Sequence, residues 1–197
     1  VPSATAAGRL RPEAGLRGAD VLALGDPAYP RPASGDRAET WRGRLTRLPG
    51  SRAEVEAVGT HVLVGEKATV SGLRAALEEH GRWRAVHLAC HGLVDPRRPM
   101  RSALALAPTA SEDGLLTAFD VLRMDIDADL AVLSACESGR GKLYRGEGLV
   151  GLTRAFMGAG APRLLVSLWT VDDDSTAALM RSFYAHWAPK DGSAGLD

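Results

Sequence analysis

The hydrophobic positions of this chain fall into short runs of strand length, separated by segments in which apolar residues recur every three or four positions. Short apolar runs indicate buried strands, and the longer period indicates amphipathic helices. The predicted main strands are Val21–Leu24, His61–Val64, Arg84–Cys90, Leu130–Ala135 and Leu164–Trp169. Strands that alternate with helices predict an α/β fold, in which a mostly parallel sheet is flanked by helices on both faces.

Polar residues mark the starts of the helices between these strands. Ser51 and Glu54 have the spacing of a capping box, which predicts a helix that begins after Ser51. Thr69 or Ser71 is a suitable N-cap for the next helix, because a short hydroxyl side chain can accept a hydrogen bond from the first turn.

The third and fourth main strands each end next to a side chain that can carry out chemistry. His91 follows Arg84–Cys90 and precedes a glycine, and Cys136 follows the fourth strand. The two residues are 45 positions apart, which leaves room for a crossover between parallel strands and for a small hairpin insertion, Ala103–Leu106 with Leu115–Leu116. Since catalytic groups of open α/β sheets lie beyond the carboxyl ends of the strands, a Cys/His dyad is predicted there.

Cys136 is the candidate nucleophile, because a neighbouring histidine lowers the pKa of a thiol or takes its proton. From its position alone, a role as a small buried apolar residue fits about equally well. His91 is the candidate base. Gly92 allows the backbone to approach closely, so that its N–H can bind a developing oxyanion.

A zinc site built from His87, Cys90, His91 and Cys136 is a weaker alternative. Adjacent residues on a strand point to opposite faces of the sheet, so Cys90 and His91 are not expected to bind one ion. The chain also has no Cys-x-x-Cys pair. We therefore expect no metal and no cofactor, and we interpret His87 and Cys90 as packing residues.

Three aspartates, Asp172–Asp174, follow the last main strand. Acidic residues in the first turn of a helix interact favourably with its dipole and can cap it, so a structural role explains them. Three in a row exceed what a cap requires. An acidic pocket that binds a basic side chain of a substrate is therefore the alternative.

The composition narrows the class of protein and its partners. The 197 residues contain 24 basic and 24 acidic side chains, and zero net charge gives no support for nucleic acid or an anionic membrane as the main partner. Two cysteines cannot form a disulfide framework, which favours a reducing, cytoplasmic setting. No apolar run approaches the length of a membrane span, and the start at Val1 has no features of a signal peptide.

A chain of this length is expected to form one domain. Residues 1–19, rich in alanine, glycine, arginine and proline, are interpreted as a linker or N-terminal extension, and residues 189–197 as a polar tail. Residues 20–188 form the predicted domain. Because the first residue is not methionine, we expect a fragment or a processed chain.

Four segments of the chain carry a resemblance to a known family: HLACHG, DGLLTAFDVL, LSACESG and RGEGLVGLTRAFMGAGAPRLLVSLWTVDD. From about Val21 to Trp187 the chain resembles the CHAT domain, a caspase-like peptidase domain of clan CD that is related to separase and often fused to TPR repeats in bacteria. The resemblance implies a caspase-hemoglobinase-like, three-layer fold. It also implies His91 and Cys136 as the catalytic pair, with the amides of Gly92 and Cys136 as the oxyanion hole.

The resemblance extends to specificity and partners. SLWTVDDD is similar to the separase stretch that supplies acid to the S1 pocket, which implies that Asp172 and Asp173 bind an Arg or Lys side chain at P1. The aspartate specificity of caspases is not carried over, because their string around the cysteine is one residue shorter. The implied partners are a protein substrate and a sensor or TPR-like module outside this chain. Family members usually continue beyond the last helix, so a missing C-terminal part of the domain is a further expected partner.

These features predict a cysteine endopeptidase that cleaves a protein substrate through an acyl-enzyme. The setting that the resemblance implies is bacterial defence, including antiviral defence, or cell death. The main alternative is a catalytically silent CHAT-fold interaction or scaffold module, which the presence of both His91 and Cys136 disfavours. A hydrolase of a non-peptide acyl substrate is a weaker alternative.

Overall fold

The structure is a computed structural model that describes residues 18–29, 45–134, 147–167 and 173–187. In chain order its strands are β1 (Val21–Pro27), β2 (His61–Gly65), β3 (Trp83–Ala89), β4 (His91–Leu93), β5 (Ala103–Ala105), β6 (Leu115–Thr117), β7 (Ala128–Leu133) and β8 (Leu164–Val166). The main sheet has the order β2-β1-β3-β7-β8, and all its neighbouring strands are parallel. The predicted α/β class with a mostly parallel sheet is therefore confirmed.

Five helices lie within the described ranges: α1 (Pro49–Val58), α2 (Val70–Glu79), α3 (Ala118–Val121), α4 (Glu147–Gly158) and α5 (Asp173–Trp187). A 3-10 turn, Pro99–Arg101, precedes β5. None of the helices described here has both the length and the apolar character needed to cross a membrane.

The starts of α1 and α2 differ in how well the sequence predicts them. Thr69 caps α2 as expected, because its side chain accepts a hydrogen bond of 2.9 Å from the backbone N–H three positions on. The capping box predicted for Ser51 and Glu54 is wrong. α1 already begins at Pro49, a residue suited to the first turn because its missing N–H needs no partner there. Ser51 Oγ instead donates to the carbonyl of Leu48 at 2.7 Å.

Apolar residues cover both faces of the main sheet, since alternate residues of each strand point in opposite directions. On one face, Leu24 belongs to a buried cluster with Leu73 of α2 and Phe156 of α4. On the other face, Ala23 belongs to a cluster with Val55 of α1 and with α5. The result is the predicted arrangement of three layers, with the sheet in the middle.

A second, antiparallel sheet has the order β4-β5-β6 and follows β3 after one residue, Cys90. Its β5–β6 hairpin confirms the predicted insertion. The sequence did not predict β4, because its residues His91–Leu93 include a glycine, which indicates the end of a strand rather than the start of another. His91 is the first residue of β4 and lies opposite Ala105 of β5.

Candidate active site

β3 and β7 are neighbours whose register brings their carboxyl ends to the same edge of the main sheet. Leu88 of β3 lies opposite Leu133 of β7. His91 comes three residues after Leu88, and Cys136 comes three residues after Leu133 in the sequence. The two candidate catalytic residues therefore follow corresponding points on adjacent parallel strands.

The same edge receives the strand that precedes the acidic run. Val166 of β8 lies opposite Leu133, so the chain leaves β8 on the side where β7 ends. Cys136 and Asp172 lie outside the described residues, and Asp173 is described as the first residue of the α5 backbone. The assignments of Cys136 as nucleophile and of the aspartates as S1 residues therefore stay predictions.

The His91 side chain is buried, with 6% of its surface exposed. Its Nε2 atom lies 2.8 Å from the carbonyl oxygen of Thr46, in the segment that precedes α1. A carbonyl oxygen only accepts hydrogen bonds, so Nε2 carries the hydrogen. In the neutral imidazole Nδ1 is then the basic nitrogen, and the contact fixes both the orientation and the tautomer of the ring.

Tyr29, just beyond β1, packs against the His91 ring. The two ring centroids are 5.5 Å apart with an interplanar angle of 39°. The Tyr29 hydroxyl donates a 2.8 Å hydrogen bond to the carbonyl of Ala105, the residue opposite His91 in the small sheet. Burial, together with the neighbouring Cys90, raises the pKa of Tyr29 well above its usual range. The phenol therefore keeps its proton and remains a hydrogen-bond donor.

A buried carboxylate lies near the end of β1. Asp26 is 2% exposed, and it accepts hydrogen bonds from Nε of Arg47 at 2.7 Å, from a second Arg47 nitrogen, and from Nε of Arg52 at 3.1 Å. Burial by itself raises the pKa of Asp26, but the hydrogen bonds and charges of the two arginines outweigh it, and the pKa is lowered. Asp26 is thus an ionised side chain that ties the start of α1 to β1.

Two of the residues considered as zinc ligands have other environments. Cys90 is fully buried in an apolar cluster, and burial raises its pKa to about 12, which leaves an unreactive thiol. His87 is also fully buried, but its Nε2 lies 2.9 Å from Oε1 of Glu54. Within the described ranges, no group of three or more His, Cys, Asp or Glu side chains is arranged to hold a metal ion.

Thr46, Tyr29 and Asp26 were not identified from the sequence. Thr46 contacts His91 through its backbone carbonyl, which every residue has, so no residue type could indicate it. Asp26 and Tyr29 belong to the string GDPAY after the first strand, which has the composition of a turn. The sequence did contain one indication of their role, since an acidic and an aromatic residue directly follow a buried strand. Residues at that position lie at the carboxyl edge of the sheet, where functional groups are found.

The structure is that of an α/β protein compatible with a caspase-like fold. It has three layers, the parallel neighbours β3, β7 and β8, and a histidine beyond β3. The family model of the CHAT domain matches residues 1–195, and the chain therefore belongs to the CHAT domain family. CHAT domains are part of the caspase-like peptidase superfamily.

The chain is also similar to two curated relatives whose name refers to tetratricopeptide repeats. The chain is 41% identical over 71 residues to tetratricopeptide repeat protein 28 of Mus musculus, and 39% identical over 71 residues to the protein of the same name of Homo sapiens. The matched residues are 36% of this chain and 3% of each relative, so the similarity spans a small part of those proteins. Their name is consistent with the TPR context that the resemblance implies.

Proposed function

We propose that this chain is a cysteine endopeptidase in which His91 and Cys136 form the catalytic dyad. The register of β3 and β7 carries the proposal, because residues three positions beyond the Leu88–Leu133 pair start from the same edge of the sheet. Membership of the CHAT family supports it, since the superfamily is one of caspase-like peptidases.

The proposed reaction begins when Nδ1 of His91 takes the proton of the Cys136 thiol, and the thiolate attacks the carbonyl carbon of the scissile peptide bond. The backbone N–H groups of Gly92 and Cys136 bind the resulting oxyanion. His91 then gives its proton to the leaving amine as the C–N bond breaks. Water hydrolyses the thioester while His91 takes one of its protons, and that proton returns to the sulfur.

Thr46 has a defined part in this cycle. Its carbonyl accepts the Nε2–H of His91 at 2.8 Å, so Nδ1 is the nitrogen that exchanges protons with the thiol and the amine. The same oxygen stabilises the imidazolium that forms in the first step, because it stays hydrogen-bonded to the positively charged ring. The contacting group is the main-chain carbonyl, so substitution of the Thr46 side chain is compatible with activity.

The proposed substrate is a protein with Arg or Lys at P1. Asp172 and Asp173 follow β8, whose end lies beside the end of β7. Carboxylates at that position would attract a basic side chain to the residue before the scissile bond. The proposal also includes regulation by a sensor or TPR-like module outside this chain, which the tetratricopeptide-repeat relatives support. The proposed setting is bacterial defence or cell death.

The decisive experiment is cleavage of a peptide library by the chain, beside Cys136→Ala. Cys90→Ala is the matched control, because it removes a thiol that is buried and protonated. Cleavage after Arg or Lys that is lost only in Cys136→Ala supports both the dyad and the S1 assignment. Cleavage after another residue, with the same cysteine dependence, keeps the dyad and removes the S1 assignment.

The interaction-module alternative predicts a different result. The chain then cleaves nothing, and Cys136 reacts with iodoacetamide near neutral pH no faster than an ordinary exposed thiol. Under the peptidase proposal, alkylation of Cys136 is selective and depends on His91, and a His91→Ala variant slows it. Peptide substrates compared with acyl esters separate a peptidase from a hydrolase of non-peptide acyl groups.

A further inference from the structure

We infer that Asp26 is a positioning residue for His91, acting through Arg47 on the Thr46 carbonyl. The inference rests on the proposed dyad and assigns a function to a cluster that the reaction itself does not use. Asp26 does not touch the reacting atoms. Its effect passes along the backbone from Arg47 to the adjacent Thr46, whose carbonyl contacts the His91 ring.

The anchor is a buried carboxylate with two cationic partners. Asp26 is 2% exposed, whereas the Arg47 and Arg52 side chains are 52% and 39% exposed. Arg47 reaches it with two nitrogens, a geometry that fixes the direction of the guanidinium as well as its distance. The carboxylate thus provides a rigid point to which a partly exposed segment is tied.

Backbone contacts add a second link between the same two parts of the chain. The N–H of Asp26 donates to Ser51 Oγ at 2.8 Å, and Ser51 Oγ donates to the carbonyl of Leu48 at 2.7 Å. The segment from Thr46 to Ser51 is therefore held at both ends by Asp26, through its side chain at Arg47 and its backbone at Ser51.

Asp26 also has an unusual backbone conformation. Its φ angle is +45°, and among the residues that the structure describes it is the one non-glycine residue with positive φ. Aspartate tolerates this left-handed region better than most residues, but the conformation still has a free-energy cost. Such outliers are found preferentially where a site needs a fixed geometry, which agrees with a positioning role.

The consequence for His91 is geometric. Proton transfer requires the ring to be held within about 0.5 Å of its productive position. Thr46 holds the ring by its Nε2 edge, and Tyr29 packs against the ring at 5.5 Å. Both contacts depend on the residues around the end of β1, because Asp26 precedes Tyr29 by three positions and fixes the Thr46 segment.

If the cluster of Asp26 with Arg47 and Arg52 only stabilises the fold, loss of any comparable buried ion pair should affect His91 equally. The chain offers a matched control for this case. Asp129 is another buried carboxylate paired with an arginine, Arg82, whose Nε lies 2.7 Å away, but it is at the amino end of β7. Asp129→Asn therefore perturbs a comparable ion pair at the opposite edge of the sheet. Any effect on His91 that both variants share comes from general destabilisation.

The test follows the Nε2–H signal of His91 in the ¹⁵N-histidine-labelled 197-residue chain, without substrate, and the pH profile of Cys136 alkylation. We expect Asp26→Asn and Arg47→Gln each to speed solvent exchange of the His91 Nε2 hydrogen by about tenfold and to slow alkylation of Cys136 by about tenfold. A change of this size is expected when one charge-assisted hydrogen bond is lost. Asp26→Glu should restore part of both values. Asp129→Asn should leave them unchanged.

The inference is overturned if both values are unchanged in Asp26→Asn and Arg47→Gln, if the His91 signal changes without the alkylation rate, or if Asp129→Asn gives the same changes. If Asp26→Asn does not fold, Arg47→Gln decides alone, since its side chain is half exposed. Failure of the proposed peptidase is seen separately in the wild-type chain, as an unreactive Cys136 with an intact His91–Thr46 hydrogen bond.

Discussion

Nε2 of His87 lies 2.9 Å from Oε1 of Glu54, and both side chains are buried. The other ring nitrogen, Nδ1, lies 3.2 Å from the hydroxyl of Tyr184. Burial, and then the charge of Glu54, raises the pKa of Tyr184 above its usual range, so the hydroxyl keeps its proton and can donate it to Nδ1 of a neutral imidazole. Nε2–H then donates to Glu54. This chain of hydrogen bonds joins α5, β3 and α1 across one face of the main sheet.

Removal of Glu54 should therefore be costly. We expect Glu54→Ala to lower the free energy of unfolding by about 2–4 kcal/mol, because it leaves a buried imidazole N–H without its acceptor. Glu54→Gln keeps an acceptor oxygen and should cost about 1 kcal/mol. Urea denaturation of both variants measures the difference.

Glu56→Ala is the control for this prediction, because Glu56 lies on the same helix with its side chain 53% exposed and forms a surface ion pair with Arg52. An exposed pair of this kind contributes little. A Glu54→Ala variant no less stable than Glu56→Ala would contradict the buried network.

The lowered pKa of Asp26 predicts how stability depends on pH. A carboxyl group with a lower pKa in the folded than in the unfolded state stabilises the fold fully above the unfolded value, here near 3.8, and loses that contribution as pH falls through the folded value. The difference in stability between wild type and Asp26→Asn should therefore be constant from pH 5 to 7 and shrink toward about pH 3. Denaturation midpoints over this range provide the measurement, and a difference that grows with acidity would contradict it.

Cys90 should act as a reporter of global unfolding. Its thiol is fully buried with a pKa raised to about 12 by burial, so it should not react with a disulfide reagent at pH 8 while the protein is folded. Intact mass should show a second adduct only in denaturant, and Cys90→Ala should abolish that adduct. Rapid labelling of Cys90 in native buffer would mean that the joint between β3 and β4 opens locally.

Gly25 allows β1 and α1 to approach each other closely. A Cβ at this position would lie 2.8 Å from the carbonyl oxygen of Ser51 and 2.8 Å from a methyl group of Val55. Gly25→Ala should cost about 1–3 kcal/mol, as overpacking of a filled interior does. Gly81→Ala is the control, since a Cβ there has no atom within 4 Å, and thermal denaturation of the two variants should differ accordingly.

Much of the main sheet could be predicted because its central strands β1, β3 and β7 are almost fully buried. Runs such as Val21–Leu24 and Leu130–Ala135 are almost wholly apolar and of strand length, as is typical of a sheet covered on both faces, and the connections between them indicate its class. Thr69 was predictable as a cap for a similar reason. A short hydroxyl side chain before an amphipathic stretch satisfies a local requirement that does not depend on the rest of the fold.

The site was only partly predictable, because its contacts join distant segments through groups that have no sequence signature. The Thr46 carbonyl is such a group, and it lies 45 residues from His91. Glu54 shows the opposite difficulty. Its spacing from Ser51 fits a capping box, yet the side chain pairs with His87, because a buried imidazole provides a stronger requirement than an exposed helix end.

Cys90 alone separates the last residue of β3 from the first residue of β4. A connection of one residue cannot change its length without moving the strands, so it determines the position of the His91 imidazole relative to the main sheet. The two ends of the small sheet should therefore differ in how well they tolerate inserted residues. The exposed turn between β5 and β6 is suited to accept extra residues, whereas a single insertion beside Cys90 would shift every following position of β4 by one place and reverse its faces.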